Sequence, residues 1–127
     1  MTQFKLQDTF NATAQEIYEA WLNGDKHTAM TGGEATGEAT VGSEFTAWDG
    51  YISGVNLELE TNKRIVQEWR TTEFSDDQAS SKIEVLLEEK ENKTVLTLIH
   101  TNIPDGQSDY ETGWNDHYFE PMKHYFG

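Results

Sequence analysis

Tyr110, Trp114, Tyr118, Met122, Tyr125 and Phe126 recur at three- and four-residue steps near the end of the chain. That spacing puts them on one side of a helix, and a stripe so broad and so aromatic needs a large apolar surface to cover it. Ser108-Asp109-Tyr110-Glu111 has the form of a capping box and sets the start of that helix. Two residues inside it oppose helix formation. Gly113 costs about 1 kcal/mol relative to Ala, and Pro121 removes a donor and crowds the carbonyl of His117, at about 3 kcal/mol in an unbent helix. The expectation is close packing at Gly113 and a bend at Pro121 that wraps the helix over a curved sheet. The sharper alternative is a hinge that lets the helix lift from a cavity.

The rest of the chain supplies such a sheet. Phe4, Leu6 and Phe10 fall on even positions in a strand read over Met1–Phe10. Thr13-Ala14-Gln15-Glu16 is a capping box for a short helix that buries Ile17, Ala20 and Trp21. Asn23-Gly24 ends it, and Asp25 is placed to cap a further turn through Met30. Residues 32–42 read equally as strand or loop. Phe45, Ala47 and Trp48 form a strand closed by Asp49-Gly50, which favours a two-residue hairpin turn. Tyr51, Val55, Leu57 and Leu59 alternate on the return, and Thr61-Asn62-Lys63 turns the chain. Ile65, Gln67 and Trp69 share a face, as do Ile83, Val85 and Leu87; Glu91-Asn92-Lys93 turns into the last strand, Val95–Ile99. Turns this short make antiparallel neighbours, so the strands form a meander.

Length and charge narrow the function. One domain over 1–127 is expected from 127 residues. Nine Lys and Arg against 23 Asp and Glu leave a net charge of −14, which argues against nucleic acid and against a membrane surface as partners. No apolar run is long enough to span a bilayer or to act as a secretory leader. Zero Cys removes disulfides, thiolate metal sites and a Cys nucleophile, and suits a cytoplasmic protein. No phosphate-binding loop, dinucleotide fingerprint, nucleophile elbow or zincin helix is present, so no cofactor is implied.

Histidines carry what chemistry there is. His117, Glu120 and His124 lie on one helical face, but this spacing lacks the i, i+4 His pair and third ligand of a zinc helix, and no metal is expected. His100, in register with Leu96 and Leu98, is the candidate general base or ligand anchor if that face points inward. The plainer expectation is a satisfied histidine at the end of the sheet.

Four segments together resemble one family. Phe45-Thr46-Ala47-Trp48-Asp49-Gly50-Tyr51-Ile52-Ser53-Gly54 resembles an F-x-x-[FW]-D-G-x-I-x-G hairpin, and Lys63-Arg64-Ile65-Val66-Gln67-Glu68-Trp69-Arg70 a K-x-I-V-x-x-W-R strand. Thr94-Val95-Leu96-Thr97-Leu98, followed by Ile103-Pro104, is similar to a T-x-L-x-L…V-P segment. The run from Gly113-Trp114 through Tyr118-Phe119 and Lys123 to Phe126-Gly127 resembles a G-W-x-x-x-Y-F-x-x-[ILM]-K-x-x-F-G helix. These are marks of the START-like, helix-grip (SRPBCC) superfamily, and within it of the C-terminal domain of activators of the heat-shock-protein-ninety ATPase. The resemblance implies an α+β helix-grip fold: a curved antiparallel sheet of six to seven strands, two short N-terminal helices and one long C-terminal helix. It also implies a groove between that helix and the sheet, and a chaperone as a partner.

The function expected is a non-enzymatic domain that takes a small hydrophobic or aromatic ligand. Its expected cavity walls are Phe45, Val55, Leu57, Trp69, Ile83, Val85, Leu98, His100, Trp114 and Tyr118. The alternatives are a co-chaperone that stimulates the heat-shock-protein-ninety ATPase, and a cyclase- or hydrolase-type enzyme pairing His100 with a nearby Asp or Glu.

Overall fold

The computed structural model describes residues 2–127. In chain order they form β1 (Thr2–Phe10), α1 (Ala14–Leu22), α2 (Gly24–Thr31), β2 (Glu44–Ala47), β3 (Ile52–Glu60), β4 (Arg64–Thr71), β5 (Ser81–Lys90) and β6 (Lys93–Ile103), followed by a C-terminal helix over 110–126. The strands make one antiparallel sheet in the order β1-β6-β5-β4-β3-β2. Five of them are the expected meander, and β1 closes the far side against β6. The strand read over Met1–Phe10 is present from Thr2; Met1 lies outside the described residues. Phe4, Leu6 and Phe10 stand opposite His100, Leu98 and Thr94, so the alternation read from sequence is the inward face. The open segment 32–42 is loop; it is tied to the sheet by a bridge between Thr36 and Thr46 and by Asn56, whose side chain donates to the Glu38 and Thr40 carbonyls and whose backbone carbonyl accepts the Gly42 amide. Shifts of register between Thr2 and Phe4 and between Asn56 and Glu58 bend the edge regions of the sheet.

The turn at Asp49-Gly50 differs from expectation. The last β2–β3 pair is Ala47 with Ile52, leaving a four-residue loop rather than a two-residue turn. Trp48, Asp49 and Gly50 are all left-handed, with φ of 51°, 59° and 88°. The cause is the neighbouring loop: the Asp49 amide donates to the Glu34 carbonyl, and the Asp49 carboxylate accepts the Glu34 amide. A left-handed Trp is costly, about 1 kcal/mol or more.

Helix boundaries follow side-chain capping. Thr13 and Glu16 form the expected box. Asn23 closes α1 and also caps α2 by accepting the Lys26 amide, so Asp25 sits in the first turn of α2 and is not its cap. At the C-terminal helix the cap is Asp109, which accepts the Thr112 amide, while the Ser108 hydroxyl is drawn away to Glu73.

That helix has three parts: α3 (Tyr110–Trp114), a π-helical turn (Asn115–Phe119) and α4 (Glu120–Phe126). The Glu120 amide donates five residues back to the Asn115 carbonyl. The wide turn delivers Pro121 to the start of α4, where a missing N–H leaves no broken bond. Pro121 is therefore accommodated by a π-turn. Gly113 is also unlike the expectation: a Cβ there would meet nothing within 4 Å, so it is not a close-packing position.

The core lies between the inward sheet face and the helices. Ile17, Ile65, Val85, Leu96, Leu98 and Met122 are fully buried. Phe10 meets Phe119 edge-on at 5.7 Å, and Lys123 pairs with Asp8 at 2.7 Å, which seats α4 beside β1. Burial of this aromatic surface, at about 25 cal/mol per Å², is the main force holding the helix to the sheet.

Two glycines give opposite tests. A Cβ on Gly54 would lie 1.8 Å from the Glu68 carbonyl oxygen and 2.7 Å from the Phe45 ring. Gly54→Ala is expected to cost about 3 kcal/mol or more in urea unfolding, whereas Gly113→Ala is expected to stabilise by about 1 kcal/mol.

Candidate functional site

His100 closes the inward face of β6 and is fully buried. The Trp114 indole N–H donates to its Nδ1 at 3.1 Å. Its Nε2 therefore carries the proton and donates to Ser81 Oγ at 2.8 Å, and Ser81 in turn donates to the Trp69 carbonyl at 2.6 Å. Trp69 packs edge-on to the imidazole at 4.6 Å. Burial pushes the His100 pKa down to about 3, so the ring is neutral and its lone pair is occupied. It is a satisfied histidine whose partners are side chains from β5 and the C-terminal helix.

A second buried chain runs beside the first. The Tyr118 hydroxyl donates to His27 Nε2 at 2.9 Å, and His27 Nδ1 donates to the Trp21 carbonyl at 2.8 Å. Burial lowers the His27 pKa and raises that of Tyr118. The Trp21 indole donates to Gln67, and Gln67 to Asn56. Trp21 stacks on Trp114 at 5.9 Å. These two chains fix the orientation of Trp114 and Tyr118, one turn apart on the same helical face.

In front of them lies a cavity of about 240 Å³, walled by Trp48, Tyr51 and Ile52 from the β2–β3 region, Trp69 from β4, and Tyr110, Gly113, Trp114, His117 and Tyr118 from the helix. Its lip is unusual. Trp48 is half-buried, its indole N–H has no acceptor, and His117 meets it edge-on at 5.4 Å. The Trp48 ring rests on Gly33, where a Cβ would come within 2.4 Å of it. Tyr51 and Ser108 both donate to the Glu73 carboxylate, linking the β2–β3 loop to the segment before the helix. Those two donors, Ser108 foremost, hold the Glu73 carboxyl below its ordinary range, while burial and then Glu73 raise Tyr51.

Of the ten expected wall residues, Trp69, Trp114 and Tyr118 line this cavity. Phe45 and Ile83 line only a void of about 10 Å³ behind it. Val85, Leu98 and His100 are core, walled off by the aromatic layer. Val55 stands opposite Glu44 and Glu68, between the inward-facing Gly54 and Asn56, and so belongs to the outer face. Leu57 is exposed at the register shift. The even alternation read through Tyr51, Val55, Leu57 and Leu59 breaks there, which is why both were misplaced. Trp48, Tyr51, Ile52, Tyr110, Gly113 and His117 were missed as wall residues. The helical stripe through Tyr110, Trp114 and Tyr118 pointed to Tyr110 and, beside it, to Gly113. No carboxylate bonds to His100, which removes the expected acid–base pair. Among the described residues no group of three His, Cys, Asp or Glu is arranged to hold a metal.

Residues 11–127 match the family model described as activator of Hsp90 ATPase homolog 1-like protein. The chain belongs to this family. The activator of 90 kDa heat shock protein ATPase homolog 1 of Homo sapiens is 30% identical over 123 residues, which cover 96% of this chain and 36% of the human protein. A Dictyostelium discoideum homolog is 29% identical over 123 residues, 96% of this chain and 32% of its own. The chain thus spans about a third of the length of these relatives. The fold is shared with an HSP90 activator from Plasmodium falciparum at a TM-score of 0.88, 22% identity and coverage of 98% of this chain and 95% of that one. No helix among the described residues is long and apolar enough to cross a membrane.

Neutral buried histidines set a pH limit on the family fold here. The folded His100 pKa lies below its ordinary 6.5, so its share of stability is complete above that value and declines as pH falls toward about 3. His27 acts in the same direction. Between pH 6.5 and 4.5 the loss of the His100 contribution amounts to up to about 1.4 kcal/mol per pH unit. His100→Gln should be less stable at pH 7 and show a shallower decline over that window in urea unfolding.

Proposed function

We propose that this domain is a non-catalytic binding module whose cavity takes a small apolar ligand. The observation that carries this is the aromatic cavity of about 240 Å³, open beside a left-handed Trp48 whose N–H is unpartnered. Backbone strain and an orphaned donor are costs that collect at ligand clamps. No Ser, Thr, Asp, Glu or Lys side chain lines the cavity to serve as a nucleophile or to pair with His117. His100 is neutral, fully bonded and behind the wall.

A second reading has its own support. Relatives that cover nearly the whole of this chain are named as activators of a 90 kDa heat shock protein ATPase. On that reading this domain docks on the chaperone, and a charge of −14 selects a basic face of it. Association should then weaken as salt rises. An interaction insensitive to salt, or no binding and no change in ATPase rate, would discard it.

The ligand reading is tested by filling the cavity. A side chain at Gly113 has open space to enter. Gly113→Leu should keep the melting temperature of the native protein yet lose the tryptophan fluorescence response to a panel of small aromatic and lipid compounds. No response of the native protein across that panel would end the proposal.

A further inference from the structure

The cavity pairs aromatic walls with a surrounding that holds almost no positive charge. Trp48, Tyr51, Trp69, Tyr110, Trp114 and Tyr118 supply six rings, and no Lys, Arg, Asp or Glu side chain lines it. Apart from the β4 strand that carries Trp69, the segments that build its walls hold no Lys or Arg: residues 27–62, 71–81 and 94–122 have none, and His117 is the one imidazole on the wall. They do contain Asp49 next to Trp48, Glu73 bonded to Tyr51, and Asp109, Glu111 and Asp116 on or beside the helix. Arg70 follows Trp69 but occupies the opposite face of β4, where Ser75, Gln78 and Ser80 hold it and its guanidinium lies over Phe74.

An uncharged hydrocarbon would use the walls and gain nothing from this field. An anion would be repelled by it. A cation with a small, strongly hydrated head would lose its water shell against a wall that is almost wholly apolar and holds no carboxylate. A quaternary ammonium group suits the site best: its methyl groups pack as apolar surface, its charge interacts with ring faces, and it needs no hydrogen bond. The volume accepts a group of that size, and the acidic rim raises its local concentration.

We propose that the cavity is a site for a small-molecule trimethylammonium group. This rests on the ligand reading above and adds the charge of the ligand. Glu73 acts at the lip, where its carboxylate, held by Tyr51 and Ser108, faces the incoming cation without entering the apolar chamber.

Choline and its neutral isostere 3,3-dimethyl-1-butanol separate the two claims, since they share shape and differ in charge. Titrations of the full chain would be read by tryptophan fluorescence and calorimetry. Choline should bind at least about tenfold more tightly than the alcohol, and should weaken several-fold between 0.05 and 0.5 M salt while the alcohol does not. Glu73→Gln, an exposed substitution that keeps a side-chain acceptor for Tyr51, should narrow the choline-to-alcohol ratio. Equal or tighter binding of the alcohol overturns the cation proposal and leaves the cavity reading in place. If neither compound binds and the neutral panel also fails, both are overturned. If neither binds but the neutral panel does, only the cation proposal falls.

Discussion

The hydrogen bond from the Trp114 indole to His100 joins the two halves of this molecule. It connects the C-terminal helix to the inward face of β6, and through Ser81 and the Trp69 carbonyl to β5 and β4. A buried imidazole can accept that bond only while it is neutral, and burial keeps it so. The interaction is directional, unlike the apolar contact around it. It therefore sets how the helix is turned on the sheet, and leaves Trp114, Tyr118 and Tyr110 to form a wall instead of collapsing into the space in front of them.

The helix is built to hold that position. A regular α-helix through Pro121 would clash at the carbonyl of His117. The π-turn over Asn115–Phe119 removes the conflict and lets Trp114 and Tyr118 stay on the chamber side while Phe119 and Met122 reach the core. Gly113 belongs to the same arrangement. Its missing side chain, a cost to the helix, leaves the chamber room on the helix side. The hairpin opposite supplies the other wall, and its left-handed Trp48 is the least comfortable residue of the site.

Much of this was legible in the sequence. Local signals with a single physical solution gave the right structure: the Thr13–Glu16 box, the alternation of Ile83, Val85 and Leu87, and the aromatic stripe from Tyr110. Signals that depend on a distant partner did not. Asp49-Gly50 reads as a tight turn, yet its loop is set by a pair of hydrogen bonds to Glu34, fifteen residues away. Ser108 reads as a cap, yet Glu73 takes its hydroxyl. Val55 and Leu57 followed an alternation that one extra residue in β3 breaks. The family resemblance located the groove between helix and sheet, but which aromatic rings face it is decided by burial and register, which no local pattern encodes.

Hydrogen exchange at the indole N–H groups tests the central claim most directly. Resolved in a two-dimensional NMR spectrum, the Trp114 indole proton should exchange only with global unfolding, because leaving His100 requires the helix to detach. The unpartnered Trp48 proton should exchange far faster, through local motion of its loop. Rapid exchange at Trp114, at a rate like that of Trp48, would contradict the account: the helix would not be held to the sheet by this bond, and the chamber would have no fixed wall.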